Sequence, residues 1–321
     1  MTKPKLLMTC PGFPGIIEQL TQYFELESNQ DEQVFTEAQL IEQLQDKQAV
    51  FTAGNARFNH HVVQHAPHLR IISAMTAGYD NIDIAACTKQ GIVVTNTPDA
   101  LNQTTADFAW ALLLATARRV TEAEQSVRAG QWTKWGLRRL LGADVHGKTL
   151  GIFGMGRIGQ AIARRSMGFD MQVLYHNRSR LTPEQEAYAN NAAYVSKAEL
   201  LNRADHLILM MPYSTETYHC MGAEEFAQMR PGAILINTAR GGVVDDVALI
   251  AALRTKQIAA AGLDVFENEP HFHPDFLTLS NVVLTPHIAS ASEPTRRAMQ
   301  QCAVDNLIHF FEHGEAINLV K

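Results

Sequence analysis

Along the first hundred residues, short apolar runs alternate with stretches whose apolar positions recur every third or fourth residue. Residues 5–10, 49–52, 71–74 and 92–95 are apolar runs of strand length, and 36–46 and 82–90 carry the helical period between them. A long apolar helix over 103–119 opens a second unit. A polar stretch over 128–141, containing Trp132 and Trp135, interrupts the pattern. The alternation then resumes, with strands predicted at 149–153, 172–175, 206–210, 233–237, 259–263 and 282–284. Helices over 158–167, 197–204 and 246–255 lie between them, and a last helix spans 293–313. Such alternation predicts parallel sheets covered by helices on both faces, an α/β chain of two doubly wound domains.

Composition narrows the function. The chain of 321 residues suffices for two ordinary domains, and 46% hydrophobic with 19% charged residues is a globular balance. The net charge of −6, with no run of like charge, excludes the broad basic face of a nucleic-acid binder. A small anionic substrate can still meet a local basic site. No apolar run reaches the roughly 18 residues that span a bilayer, and the first residues lack the apolar core of a signal peptide, so a cytoplasmic location without membrane contact is expected. Cys10, Cys87, Cys220 and Cys302 are widely spaced, as reduced thiols with no role in a metal site or disulfide would be.

The strand over 149–153 runs directly into Gly154, Met155, Gly156, Arg157, Ile158 and Gly159. In this strand–turn–helix setting the GxGxxG spacing points to dinucleotide binding. The first glycine permits the tight turn, the second lets a pyrophosphate approach the backbone, and the third lets helix and strand pack closely. The helix N-terminus adds unpaired N–H groups and partial positive charge. A site for NAD places an acid at the end of the next strand, roughly 20 residues on, to bind the ribose 2′-hydroxyl. Here that place reads His176, Asn177, Arg178, Ser179, Arg180, with no acid between Asp170 and Glu184. Two arginines able to clamp a 2′-phosphate, with Asn177 and Ser179 as further hydrogen-bond donors, predict NADPH/NADP, with NADH a weaker alternative.

Three later strands deliver chemistry to the same sheet edge. They run into Arg240, into Glu269 and into His287. Hydride transfer to a carbonyl carbon leaves negative charge on oxygen, and a histidine can supply the proton near neutral pH. A carboxylate on the imidazole orients it and favours its protonated form. An arginine grips a substrate carboxylate and polarises the carbonyl. The trio therefore suits reduction of a small 2-keto acid.

These motifs, with Asn237 to Gly241, Asp264 to Pro270 and Thr285 to Ile288 in order, resemble the D-2-hydroxyacid dehydrogenase family over essentially the whole chain. The resemblance implies a Rossmann-type cofactor domain over 103–289 and a flavodoxin-like substrate domain from 1–102 plus 290–321, with the active-site cleft between them. Within the family the chain is most similar to bacterial glyoxylate/hydroxypyruvate reductases that also reduce 2-ketogluconate, through 130–135, 142–151 and 302–308. Position by position, the resemblance makes His287 the acid/base, Glu269 its partner and Arg240 the substrate-binding arginine. It gives Ala77 and Gly78 backbone N–H contacts to the substrate carboxylate. It assigns cofactor contacts to Thr104, Thr238, Ala239 and Asp264, the last on the nicotinamide carboxamide, beside the glycine loop and Asn177 to Arg180. Relatives are homodimers that exchange an arm, here the region of 132–141. Ala289 departs from the glycine that many relatives carry. Relatives on this fold also include dinucleotide-sensing corepressors, so a binding protein is the alternative from another class. An NAD-linked dehydrogenase of other substrate range is the alternative within the enzymes.

Overall fold

The computed structural model describes residues 3–320. The chain divides into two compact units. One takes the residues up to Leu101 and resumes at Ala291; the other is Asn102–Ser290. The seams expected after 102 and before 290 each move by one residue, because Asn102 is the first residue of a helix of the second unit and Ser290 stays with that unit. Met1, Thr2 and Lys321, at the ends of the expected substrate domain, lie outside the described residues.

The first unit runs β1 (Lys5–Met8), α1 (Pro14–Tyr23), β2 (Glu25–Ser28), α2 (Glu37–Gln43), β3 (Ala49–Thr52), α3 (His60–Gln64), β4 (Ile71–Ala74), α4 (Ile84–Lys89) and β5 (Val93–Thr95). Its sheet has the order β2-β1-β3-β4-β5 with every pairing parallel, the flavodoxin-like arrangement. Two expectations are corrected here. The first strand stops at Met8 and not at residue 10, close to Pro11, which has no N–H for a ladder. The edge strand β2 was not expected, because its ELES sequence exposes both glutamates and offers no apolar run.

The second unit runs α5 (Asn102–Ala117), α6 (Val120–Arg128), β6 (Thr149–Phe153), α7 (Arg157–Arg165), β7 (Gln172–His176), α8 (Pro183–Tyr188), β8 (Ala193–Tyr194), α9 (Lys197–Arg203), β9 (His206–Leu209), α10 (Ala223–Gln228), β10 (Ile234–Asn237), α11 (Asp246–Arg254), β11 (Ala260–Leu263) and β12 (Val282–Leu284). The last helix, α12 (Glu293–His313), returns to the first unit and lies on β3 and β4. The seven strands follow the order β12-β11-β10-β9-β6-β7-β8, all parallel, so the order reverses between β6 and β9. Ligands of such sheets bind beyond the carboxyl ends of the strands at this switch point. The helix expected to 167 ends at Arg165 and tightens into a 3₁₀ turn, Ser166–Phe169, before Asp170 takes a left-handed conformation.

Both faces of the larger sheet are covered. Leu112 and Leu113 of α5 and Ile162 of α7 pack with Ile152 and Ile208 on one side. Leu200, Phe226, Leu249 and Leu253, from α9 to α11, pack with Leu207 and Leu235 on the other. Each such aliphatic side chain contributes about 1.5–3 kcal/mol on leaving water, which holds the strand ends rigidly in place. Among the described residues no helix is long and apolar enough to cross a membrane.

Candidate active site

The glycine loop follows β6 as the sequence demands. Gly154 has φ of +100°, and a Cβ there would lie 2.4 Å from the Met211 backbone nitrogen, so only glycine fits. Gly159 is pressed against the Gly154 carbonyl, where a Cβ would approach to 2.5 Å. Gly156 differs: a Cβ would meet nothing within 4 Å. It is the N-cap of α7 and brings no side chain to cap the helix. Open space in front of a bare helix N-terminus fits the pyrophosphate of a dinucleotide.

The loop after β7 is anchored to this one. Asn177 accepts the Met155 N–H at 2.7 Å through Oδ1, and its own carbonyl accepts from the Tyr194 hydroxyl at 3.1 Å. Asn177 is thus a brace for the glycine loop as well as a candidate cofactor contact. Arg178 and Ser179 are exposed. Arg180 is held in a two-pronged ion pair with Glu186, Nε to Oε1 at 2.8 Å and Nη2 to Oε2 at 3.0 Å. The buried Tyr175 hydroxyl donates to the same carboxylate at 2.7 Å and accepts the Leu181 N–H. Alike in sequence, the two arginines differ in the structure: Arg180 is hydrogen-bonded to Glu186, and Arg178 acts on Glu216 through charge alone. Arg180 and Tyr175 together hold the Glu186 carboxyl below the usual carboxylate range.

Three adjacent strands, β10, β11 and β12, carry the candidate catalytic residues. His287 Nδ1 lies 2.7 Å from Glu269 Oε2, and Glu269 Oε1 accepts the Phe266 N–H at 2.7 Å. Burial works to raise the Glu269 carboxyl, but the bonds and charge of His287 outweigh it and keep the group below the ordinary range. Arg240 is close enough to add to that lowering. Gly241 makes the proximity achievable: a Cβ there would sit 1.8 Å from the Phe266 carbonyl carbon, so the loops after β10 and β11 touch backbone to backbone.

Asp264 is wholly buried and accepts from Thr285 Oγ1 and from the N–H groups of Ile288 and Ala289, at 2.8–2.9 Å. His287, at φ of +53°, donates its own N–H to the Asp264 carbonyl. Asp264 therefore folds the loop that presents the imidazole, a task the sequence reading did not give it. Asn237 does the same for Arg240, accepting from the Ala239 N–H and donating to the Arg240 carbonyl. Thr238 is buried, with its hydroxyl on Met210 Sδ. Thr104 lies in the first turn of α5. Ala77 and Gly78 belong to the other unit, in the loop after β4.

One cluster was missed entirely. Glu267 receives the Tyr218 hydroxyl at 3.3 Å and faces His219 Nε2 at 3.1 Å, with the two rings stacked. Beneath it lies Asp246, buried at the start of α11. Burial first, and then the charge of Glu267, push the Asp246 carboxyl up to about 7. Its place beside Asp245, an ordinary helix N-cap, disguised it. Among the described residues no group of three or more His, Cys, Asp or Glu could hold a metal ion.

The model of the D-isomer specific 2-hydroxyacid dehydrogenase NAD-binding domain matches residues 110–289. A protein named glyoxylate reductase from Thermococcus onnurineus is 47% identical over 98% of this chain and 94% of its own. The chain belongs to the D-isomer specific 2-hydroxyacid dehydrogenase family. Among solved structures of this dehydrogenase family, one from Polaromonas sp. aligns with a TM-score of 0.91 at 37% identity, covering 99% of this chain and all of that one. A NADPH-dependent glyoxylate/hydroxypyruvate reductase from Sinorhizobium meliloti, solved with NADP and malonate, aligns at 0.90 with 36% identity over 99% of this chain and 97% of its own. The dehydrogenase fold, two all-parallel α/β domains, is the one expected from the alternation of strands and helices.

Proposed function

We propose that this family member reduces glyoxylate, and with it hydroxypyruvate and 2-ketogluconate, to D-2-hydroxy acids with NADPH, NADH serving less well. The balance is NADPH + 2-keto acid + H⁺ → 2-hydroxy acid + NADP⁺. The single observation that carries the reading is the His287–Glu269 pair, set beyond adjacent strand ends in the unit that holds the glycine loop.

The dinucleotide, when bound, supplies the hydride. Its pyrophosphate fits the open N-terminus of α7 at Gly156, with Met155, Arg157, Ile158 and the residues Thr104, Thr238 and Ala239 as further contacts. Arg178 and Ser179, exposed at the end of β7 in a stretch of sequence without an acid, are the groups for a 2′-phosphate, with Glu216 near enough to feel the charge of Arg178. Asp264 keeps its proposed place near the nicotinamide carboxamide in addition to folding the His287 loop. Arg240 and the amides of Ala77 and Gly78 hold the substrate carboxylate. His287 gives its proton to the carbonyl oxygen as negative charge builds there, with Glu269 stabilising the imidazolium. Names of relatives support the substrate class: glyoxylate reductase recurs among them, and one structural neighbour is NADPH-dependent.

The first unit serves as the substrate domain and the second as the cofactor domain. Exposed Trp132, Trp135, Leu137 and Leu141 support a homodimer formed through this region, since soluble surfaces rarely leave such apolar bulk to water. Light scattering of the purified protein tests the dimer. Initial rates of NADPH and NADH oxidation against glyoxylate, hydroxypyruvate, 2-ketogluconate and pyruvate test the reaction. Turnover of the first three with NADPH favoured is expected. Tight nucleotide binding without turnover of any would move the protein to the dinucleotide-sensing class.

A further inference from the structure

The loop after β4 holds its peptides in one unusual way. No acceptor within the described protein takes the N–H of Ala77, Gly78 or Tyr79, while the carbonyls before them are all bound. The Thr97 N–H donates to the Thr76 carbonyl at 3.0 Å. The Asn96 carboxamide donates to the Ala77 carbonyl at 2.8 Å. The Thr76 hydroxyl donates to the Gly78 carbonyl at 2.7 Å. A trans peptide carries C=O and N–H on opposite sides. Donors on the consecutive residues Asn96 and Thr97 draw the first two carbonyls toward the end of β5. The N–H groups of Ala77 and Gly78 therefore face the other way.

Asn96 is itself fixed by a closed ring of asparagines. Its N–H donates to the Asn318 carbonyl at 3.2 Å. Asn318 donates through Nδ2 to Asn306 Oδ1 at 3.0 Å, and Asn306 donates back to the Asn96 carbonyl at 3.1 Å. Asn306 lies on α12 and is wholly buried. A buried carboxamide stabilises a fold less than an apolar side chain of its size unless its bonds are needed, and satisfied networks of this kind fix one geometry.

We propose that Asn96, braced by Asn306 and Asn318, is a positioning residue that presents the Ala77 and Gly78 amides to the carboxylate of the 2-keto acid. The inference rests on the carboxylate-binding role given to those amides under the proposed function. Asn96 acts through the backbone and touches no reacting atom, so it governs substrate affinity and not hydride transfer.

Asn96→Asp keeps the shape and replaces the donor facing Ala77 by an oxygen. With the full-length enzyme and NADPH, KM for glyoxylate and the inhibition constant of oxalate should both rise about tenfold, the worth of one lost hydrogen bond. kcat and NADPH affinity should change less than twofold. Asn318→Ala, at the exposed end of the ring, should give a smaller rise in the same two constants and covers the case in which Asn96→Asp does not fold. An unchanged KM in a folded Asn96→Asp protein, or an equal loss of NADPH affinity, overturns the inference while the proposed function stands. Should the wild type turn over no 2-keto acid, that function falls, and the amide resonances of Ala77 and Gly78 decide the inference separately. Oxalate-induced shifts in the wild type that vanish in Asn96→Asp support it; shifts in neither protein overturn it.

Discussion

Glu269 holds the His287 imidazole and the Phe266 backbone with opposite oxygens of one carboxylate, each at 2.7 Å. The bond to Phe266 fixes the carboxylate against its own loop, and the bond to His287 leaves Nε2 as the ring nitrogen for a substrate. Replacing His287 by alanine should lower kcat by about 10²–10⁴, the usual worth of a general acid, with NADPH affinity kept. Glu269→Gln retains a hydrogen bond but loses the charge that stabilises the imidazolium. kcat/KM for the reduction should then fall with NADPH affinity kept, and an unchanged kcat/KM would count against the pairing.

Two glycines of one loop should fail in different ways. Gly154→Ala forces a methyl group into the Met211 backbone at a residue with φ of +100°, so melting temperature should fall clearly. Gly156→Ala places its methyl in open space, so melting temperature should hold while NADPH affinity drops, because the methyl takes up the room for the pyrophosphate. Calorimetry and fluorescence titration on both variants separate the effects. A Gly156→Ala protein that binds NADPH normally would remove the assigned site.

Arg178 and Arg180 should not contribute equally to cofactor choice. Both are exposed, but Arg180 is tied to Glu186 by two hydrogen bonds, whereas Arg178 feels Glu216 only through charge. Arg178→Ala should weaken NADPH by about ten- to a hundredfold, the range for a lost charge-assisted contact, and leave NADH nearly unchanged. Arg180→Ala should cost less of this preference. Equal losses for both nucleotides in Arg178→Ala would contradict the 2′-phosphate assignment.

Asp246 should make stability depend on pH. Its folded carboxyl sits at about 7, above its ordinary value, so the folded state holds the proton more tightly than the unfolded chain. This stabilisation is complete below the ordinary carboxylate range and is lost as pH rises toward 7 and through it. Asp246→Asn keeps an oxygen acceptor without the charge. Its melting temperature relative to wild type should therefore rise between pH 4 and pH 8, and a constant difference across that interval would exclude the buried carboxyl as the cause.

Several elements escaped the sequence reading for a shared reason. β2 and β8 are short edge strands whose polar or mixed side chains carry no buried run. α3 and α8 are five- and six-residue helices, too short to show a period. The family resemblance gives Asp264 only a cofactor contact, because the three donors it also holds lie 21 to 25 residues away in sequence. Glu267 and Asp246, likewise, signal nothing until two loops bring them together.

By itself the sequence determined the α/β architecture, the glycine loop and the three strand ends that carry Arg240, Glu269 and His287. Strand alternation and turn chemistry are local, written within spans of about five to twenty residues. Only the tertiary structure decided which of two neighbouring arginines is hydrogen-bonded to Glu186, which acid folds the histidine loop, and that Asn96, Asn306 and Asn318 close a ring. Those outcomes depend on contacts between residues as far apart in the chain as Asn96 and Asn318. Such contacts form only once the core has packed, and no local pattern records them.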